Sequence, residues 1–399
     1  MYQYSGRALS VAIICSYGIV SSAGAGPGES VTPTNARIAE AIEQLGDDEF
    51  ARRESASNFL FRSGIAAIPY LTAAAGSDDA EVRNRAFAVL QAFAQAERGE
   101  HAMVANEALL QLANEGSDSI ARRARRAVAQ VQSRTIEQLK ELGVRFDYDE
   151  HGVVVGINAD DVPLTDAHMT RLQLLPQLTS VNLSRTEITD RGLATLASLK
   201  NLETLTLRFT DVSGAGIAVL VDLPKLNELN LQGTQIDDAD AWLLGSMENL
   251  ELLSVERTRM TDAGLQDLRG LSRLKILYLG ECKVKGPGLE VLAELPQLSY
   301  VSLRKLDIDD ESIAPLSVCS QLESLGLDET PVGNDCVRFL SELPKLKVLW
   351  LTGTQISDDA LPNLVDLSSI EKLYVRNTQI SEEGALRLKE ALPDLKLTH

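Results

Sequence analysis

The side chains able to carry reactions are few in this chain, and they do not converge. Its four histidines, His101, His151, His168 and His399, fall in a predicted helix, a hairpin turn, a helix start and the terminus, without metal-ligand spacing. No phosphate-binding glycine loop, no H-E-x-x-H and no G-x-S-x-G occurs. Gly24, Gly26 and Gly28 mimic part of a dinucleotide loop, but no strand precedes them and no helix follows directly. We therefore expect no enzyme: no catalytic residue, no metal and no cofactor. Six aspartates recur in one column, Asp166, Asp190, Asp238, Asp262, Asp310 and Asp358. Such a column could gather cations, but each Asp opens a helical run, and capping of that helix is the expected role. Arg122, Arg123, Arg125 and Arg126 invite an anionic-surface reading. Spread around a helix axis, they are better explained as a solvated face with acid partners on the same helix.

Composition narrows the class. The chain has 399 residues, 44% hydrophobic and 24% charged, too apolar for a disordered chain and long enough for two or three domains. Acidic residues outnumber basic ones 57 to 38, a net charge of −19, which argues against a nucleic-acid partner because phosphates must be neutralised. Residues 1–25 read as an export signal. Arg7 supplies the positive start, Ala8 to Val20 is an apolar run, and Ala23-Gly24-Ala25 offers a cleavage site. The run is too short to span a bilayer, which takes about 20 residues, so no integral membrane segment is expected in the mature chain. Ile14 before Cys15 argues against a lipoprotein. The remaining Cys282, Cys319 and Cys336 are odd in number for a disulfide-stapled exported fold, and Cys319 and Cys336 fit columns of core and small residues, as buried inert thiols do.

The organising feature is a repeat. Leu178, Leu202, Leu226, Leu250, Leu274, Leu298, Leu322, Leu346 and Ile370 stand 24 residues apart without a slip. Three residues after each comes a second apolar column, Val181 to Leu373, and two further on a third, Leu183 to Val375. With a weaker copy at Val154, Ile157 and Ala159, ten turns cover 154–393. The last two columns alternate in and out as a strand does. Thr186, Thr210, Thr234, Thr258, Thr330, Thr354 and Thr378 follow the strand, where a short hydroxyl can satisfy freed backbone groups; Cys282 and Leu306 are the exceptions. Pairs such as Thr189-Asp190, Thr261-Asp262 and Ser357-Asp358 then start a short helix. No such unit buries its apolar face alone, so neighbours must stack.

The L-x-x-L-x-L pattern is that of a leucine-rich repeat, and the Ile188-Thr189-Asp190-Arg191-Gly192-Leu193 turn resembles bacterial secreted proteins of that type. It is also similar to the cysteine-containing repeats of F-box proteins. There a Cys fills the threonine column, whereas here only Cys282 does, and with an export leader and no F-box upstream a ubiquitin-ligase adaptor is disfavoured. Residues 35–142 differ: Ala- and Arg-rich, with apolar residues at helical spacing. Asp48 and Arg53, Asp78 and Arg83, and Asp118 and Arg123 each open a helical run, and Gly64 to Leu71 looks like entry to a following helix. Together these resemble HEAT-type repeats, which implies stacked helix pairs and Asp–Arg pairs bridging neighbours. A hairpin of Val144 to Tyr148 and Val153 to Ile157 is expected to cap the first repeat.

The expected architecture is thus an α/β leucine-rich repeat solenoid preceded by an all-α HEAT-like domain: 1–25 signal, 26–143 helical, 144–399 repeats with their capping hairpin. Residues 144–399 hold 24 basic and 40 acidic side chains, net −16, so the acidity belongs mainly to the solenoid. The outward strand positions are small and polar in the first half, through Asn182, Thr206, Asn230 and Ser254. The second half collects Tyr278, Tyr300, Trp350 and Tyr374 beside Arg304 and Arg376, the residue types that anchor protein interfaces. The expectation is an exported, periplasmic, surface or extracellular protein that binds a protein or peptide there; the alternatives are that the rings stack on sugars, or that they only shield the sheet.

Overall fold

The computed structural model describes residues 34–96 and 99–399. The leader read at 1–25 lies outside them. Six helices lead: α1 (Asn35–Gln44), α2 (Phe50–Arg62), α3 (Ile68–Ala74), α4 (Ala80–Ala94), α5 (Gly99–Glu115) and α6 (Asp118–Glu141). Alanine at the contacts lets them pack closely around Leu45, Leu60, Leu71, Phe87, Leu90, Phe93 and Leu109, all fully buried. The Asp–Arg pairs do not bridge neighbours as expected. Arg53 and Arg83 donate to backbone carbonyls at the start of their own helices, Arg53 to Asp47 and Asp48 and Arg83 to Ser77 and Asp78. Contact between helices passes instead through Arg85, 2.7 Å from both Glu54 and Glu81, and through Arg53 and Glu81 at 3.1 Å. The arginine cluster on α6 also differs from expectation. Arg123 turns inward over the Phe87 ring, 4.7 Å from its centroid, and donates to Asn84. Arg122, Arg125 and Arg126 are exposed and find no acid partner among the described residues.

Strands β1 (Arg145–Tyr148) and β2 (Val154–Asn158) form the antiparallel capping hairpin. From β2 the sheet continues in parallel through β3 (Ser180–Asn182), β4 (Thr204–Thr206), β5 (Glu228–Asn230), β6 (Leu252–Ser254), β7 (Ile276–Tyr278), β8 (Tyr300–Ser302), β9 (Ser324–Gly326), β10 (Val348–Trp350), β11 (Lys372–Tyr374) and β12 (Lys396–Thr398). Every partner lies 24 residues away, as Leu253 opposite Leu277 and Leu277 opposite Val301. The sequence reading stopped the array at 393. β12 escaped it because Asp394 and His399 replace two of the three apolar positions, leaving Leu397 alone. Most helical segments on the opposite side are short, as Asp190–Leu193 followed by Ala194–Ser198, and the last, Glu382–Ala391, is longer. The two parts share their packing. Leu174 of the first repeat enters the helical core, Leu139 of α6 enters the solenoid core, and Gln132 donates to the Leu174 carbonyl at 3.1 Å.

Three columns hold each turn. The threonine hydroxyls donate to the carbonyl three residues back, from Thr186 to Leu183 through Thr378 to Val375, at 2.6–2.7 Å. One residue earlier the backbone is left-handed in every repeat: Asp161, Arg185, Phe209, Gly233, Arg257, Glu281, Lys305, Glu329, Gly353 and Asn377 all have positive φ. The aspartate column does not cap its own helices. That task belongs to the preceding Thr or Ser, such as Thr189, Ser213, Thr261 and Ser357. The carboxylates reach the next repeat instead, Asp238 accepting from Thr261 N at 2.7 Å and Thr261 Oγ1 at 2.6 Å. Asp166, Asp190 and Asp358 repeat that two-bond rung with Thr189, Ser213 and Ser381, whereas Asn334 accepts from the Ser357 backbone N–H and donates its own amide to the Ser357 hydroxyl. Asp262 and Asp310 accept from backbone alone, and Gly214 and Gly286 interrupt the ladder.

The last rung has a pH signature. Hydrogen bonds from the Ser381 hydroxyl and backbone hold the Asp358 carboxyl below its usual 3.8. A carboxyl lowered in the folded state stabilises above its unfolded value and loses that effect as pH falls through its folded one. Asp358→Asn should therefore be less stable than wild type at pH 7. The two denaturation midpoints should converge once the pH drops well below 3.8, and a constant gap down to pH 2 would contradict the rung.

A candidate protein-binding face on the open sheet

Alternation in each strand sends the strand leucines inward and the residues flanking them to the open face. Parallel register then sets residues of successive repeats side by side, and the aromatic ones meet. The Tyr278 and Tyr300 centroids are 5.0 Å apart, Tyr300 and Trp350 6.0 Å, and Trp350 and Tyr374 5.6 Å with planes only 9° apart. The four rings form one connected strip from β7 to β11. Tyr300 and Trp350 lie two strands apart and still touch edge to face. Gly326, the strand residue between them in the sheet, has no side chain to separate them and is itself buried. Leu252, Ile276 and Val348, each half-buried, widen the apolar surface.

The six residues singled out from sequence are not equivalent. Tyr278, Tyr300, Trp350 and Tyr374 are brought together. Arg304 is already engaged, 2.7 Å from Glu281 and 3.7 Å from Glu329. Arg376 is exposed in the turn two residues after β11 and forms no ion pair among the described residues. Burial by its neighbours pushes the Tyr300 hydroxyl up to about 12, with the Tyr278 ring and the Glu256 charge adding to the effect, and burial likewise raises Tyr278. Both hydroxyls are neutral donors across the physiological range.

The outward column that holds Arg304 also holds two acids beside this strip, whose burial spacing alone did not reveal. Glu256 and Asp328 are half-buried, and burial raises both carboxyls. Neither forms an ion pair; Glu256 accepts from Gln232 at 3.2 Å, and Asp328 from the Thr352 amide at 3.2 Å. The signal was Gly280: a Cβ there would stand 2.7 Å from the Glu256 carboxylate, so glycine is what lets that side chain lie across β7. The nearby cations are used elsewhere, since Arg257 and Arg304 converge on Glu281, which they hold below the usual carboxylate range. Among the described residues Cys282, Cys319 and Cys336 are free; Cys319 and Cys336 are buried, and burial drives the Cys319 thiol to about 11 and Cys336 higher still. Cys282, which occupies the threonine column, donates not to the carbonyl three residues back but to that of Val255 in the preceding repeat, at 2.9 Å. Among the described residues no group of His, Cys, Asp and Glu is placed to hold a metal, and no helix is long and apolar enough to cross a membrane.

Comparison with known proteins agrees with the repeat pattern. Residues 241–389 match the family model for the leucine-rich repeats of an FBD-associated F-box protein, and residues 176–197 match a leucine-rich repeat model. No curated protein sequence matches the chain. Among solved structures, an internalin (inlF) of Listeria monocytogenes is 18% identical over 61% of this chain and 86% of its own, with a TM-score of 0.42. An internalin C2 of the same organism is 26% identical over 53% of this chain and 84% of its own, with a TM-score of 0.41. A plant peptide hormone receptor, RGFR1 in complex with RGF2, is 14% identical over 64% of this chain and 47% of its own, with a TM-score of 0.40. On its nine unbroken 24-residue copies, the stacked parallel strands they form and the matched repeat models, this chain is a leucine-rich repeat protein in which a helical region precedes the repeats.

Proposed function

We propose that the protein is exported and acts without catalysis, binding a protein or peptide along the open face of its sheet. The observation that carries this reading is the connected strip of Tyr278, Tyr300, Trp350 and Tyr374 on the open face of the sheet. Large rings with few rotatable bonds desolvate well and lose little entropy on binding, which is why such residues dominate interface energetics. Arg376 supplies a free polar clamp at the end of the strip. Arg304 can serve only by leaving Glu281. A sugar-binding role fits less well, because Trp350 and Tyr374 cover one face of each other and stacking on sugars needs an open ring face. Export rests on the leader at 1–25, and places the partner in the periplasm, at the cell surface or outside the cell.

The test is capture from the envelope or culture fluid with the native protein and with a Trp350→Ala, Tyr374→Ala double variant, read by mass spectrometry. A partner held by the native protein should be lost from the variant, while circular dichroism and the melting midpoint stay close to native. A partner retained by the variant would place binding elsewhere, and recovery of the native protein only from the cytoplasm would refute export.

A further inference from the structure

The cations of the sheet are distributed unevenly. Along most of its length lysines and arginines are matched by an acid one strand away, as Lys275 with Glu251 at 2.7 Å and Lys347 with Glu323 at 2.9 Å. At the end of the aromatic strip this pairing stops. Lys372 shares the open face of β11 with Tyr374, Arg376 is exposed in the turn just after that strand, and Lys396 stands directly opposite Lys372 on β12. None of the three forms an ion pair among the described residues. Like charges facing each other across adjacent strands, about 4.8 Å apart, destabilise a sheet. The repeat region as a whole, residues 144–399, is net −16, so carboxylates are plentiful in it, yet none of the described ones pairs with these three cations. An open cleft of about 550 Å³ continues from this point, lined by Arg376, Lys389 and His399, with Glu382 as its one acid.

Resting on the reading of the face given above, we infer that Lys372, Lys396 and Arg376 bind a carboxylate side chain of the partner, next to an apolar side chain seated on Trp350 and Tyr374. The ligand class is therefore an extended peptide segment in which an acidic residue stands two positions from an apolar one. In such a segment side chains two apart point to the same side, so the apolar group can meet the rings while the acid reaches the cations beside them. A bound carboxylate between Lys372 and Lys396 would relieve their repulsion. Charge-assisted hydrogen bonds of this kind are about twice as strong as neutral ones.

The test uses the full chain and a fluorescein-labelled decapeptide in which leucine and glutamate take turns at every second position with serine between them, with glutamine and phosphoserine counterparts in place of the glutamates, read by fluorescence polarisation. The glutamate peptide should bind at least about tenfold more tightly than the glutamine peptide. The protein's net charge of −19 alone predicts the reverse order. The double variant Lys372→Gln, Lys396→Gln should bring the ratio close to one, keep glutamine-peptide binding, and melt no lower than the native protein, because a repulsion has been removed. If the glutamine peptide binds and glutamate adds nothing, the strip stands and the carboxylate site falls. Binding of the phosphoserine peptide alone would assign the cations to phosphate and overturn the inference. If no peptide binds, both the site and the face reading are refuted.

Discussion

Replacing Leu277 by alanine should lower the unfolding free energy by about 3–5 kcal/mol, the range for emptying a fully buried leucine site. Leu277 lies in β7, near the middle of the sheet, with Leu253 on one side and Val301 on the other, all without exposure. Collapse into the void is resisted because the strands on both sides are pinned by parallel hydrogen bonds at fixed register. A repeat array draws its stability from neighbour contacts, so a central defect weakens two interfaces. The corresponding change at Leu397 in β12, half-buried and paired with β11 alone, should cost far less. Urea denaturation of the two variants measures the difference. A central loss below about 1 kcal/mol would mean that the solenoid does not depend on this layer.

The second large effect is expected at Gly264. A Cβ there would lie 2.5 Å from the Asp238 carboxylate and 3.1 Å from its Cα, where Asp238 makes its two bonds to Thr261. The rung and the glycine are two halves of one device: the aspartate of one repeat occupies the space that the next leaves vacant. Gly192, Gly216 and Gly384 stand in the same relation to Asp166, Asp190 and Asp358. Gly264→Val should therefore both overpack the site and break the rung, at a cost of about 3 kcal/mol. Ala360 carries a methyl at the same place in its repeat, so Gly264→Ala should be milder. If thermal melting finds valine and alanine equal to native, the close approach is not a constraint.

The column of aspartates illustrates what can be recovered from spacing. Their periodicity and their place at helix starts were visible, and so was the glycine two residues on. That each carboxylate bonds the following repeat was not, because a local rule assigns an Asp at a helix start to its own helix. The same limit applied to the helical region. Asp–Arg spacing is a local pattern, and the arginines were free to choose backbone carbonyls once the helices had packed. β12 was missed for a different reason: pairing with β11 needs a backbone edge, and only one apolar side chain marks it. The aromatic residues of the open face were legible because alternation within a strand and a fixed period between strands determine both coordinates of a side chain on the sheet. Glu256 and Asp328 were legible as positions but not as half-buried acids, since burial depends on how far the neighbouring rings lean.

The sequence by itself determined the type of fold, the 24-residue register and the direction each strand side chain faces. All follow from period and alternation, which one-dimensional order encodes directly. Only the tertiary structure decided which polar partners were chosen. The aspartates turned to the next repeat, Arg304 to Glu281, and Tyr300 across Gly326 to Trp350, while Lys372, Lys396 and Arg376 were left without an acid. These choices rest on distances across repeats, where alternative partners lie within reach of one flexible side chain and packing alone selects among them.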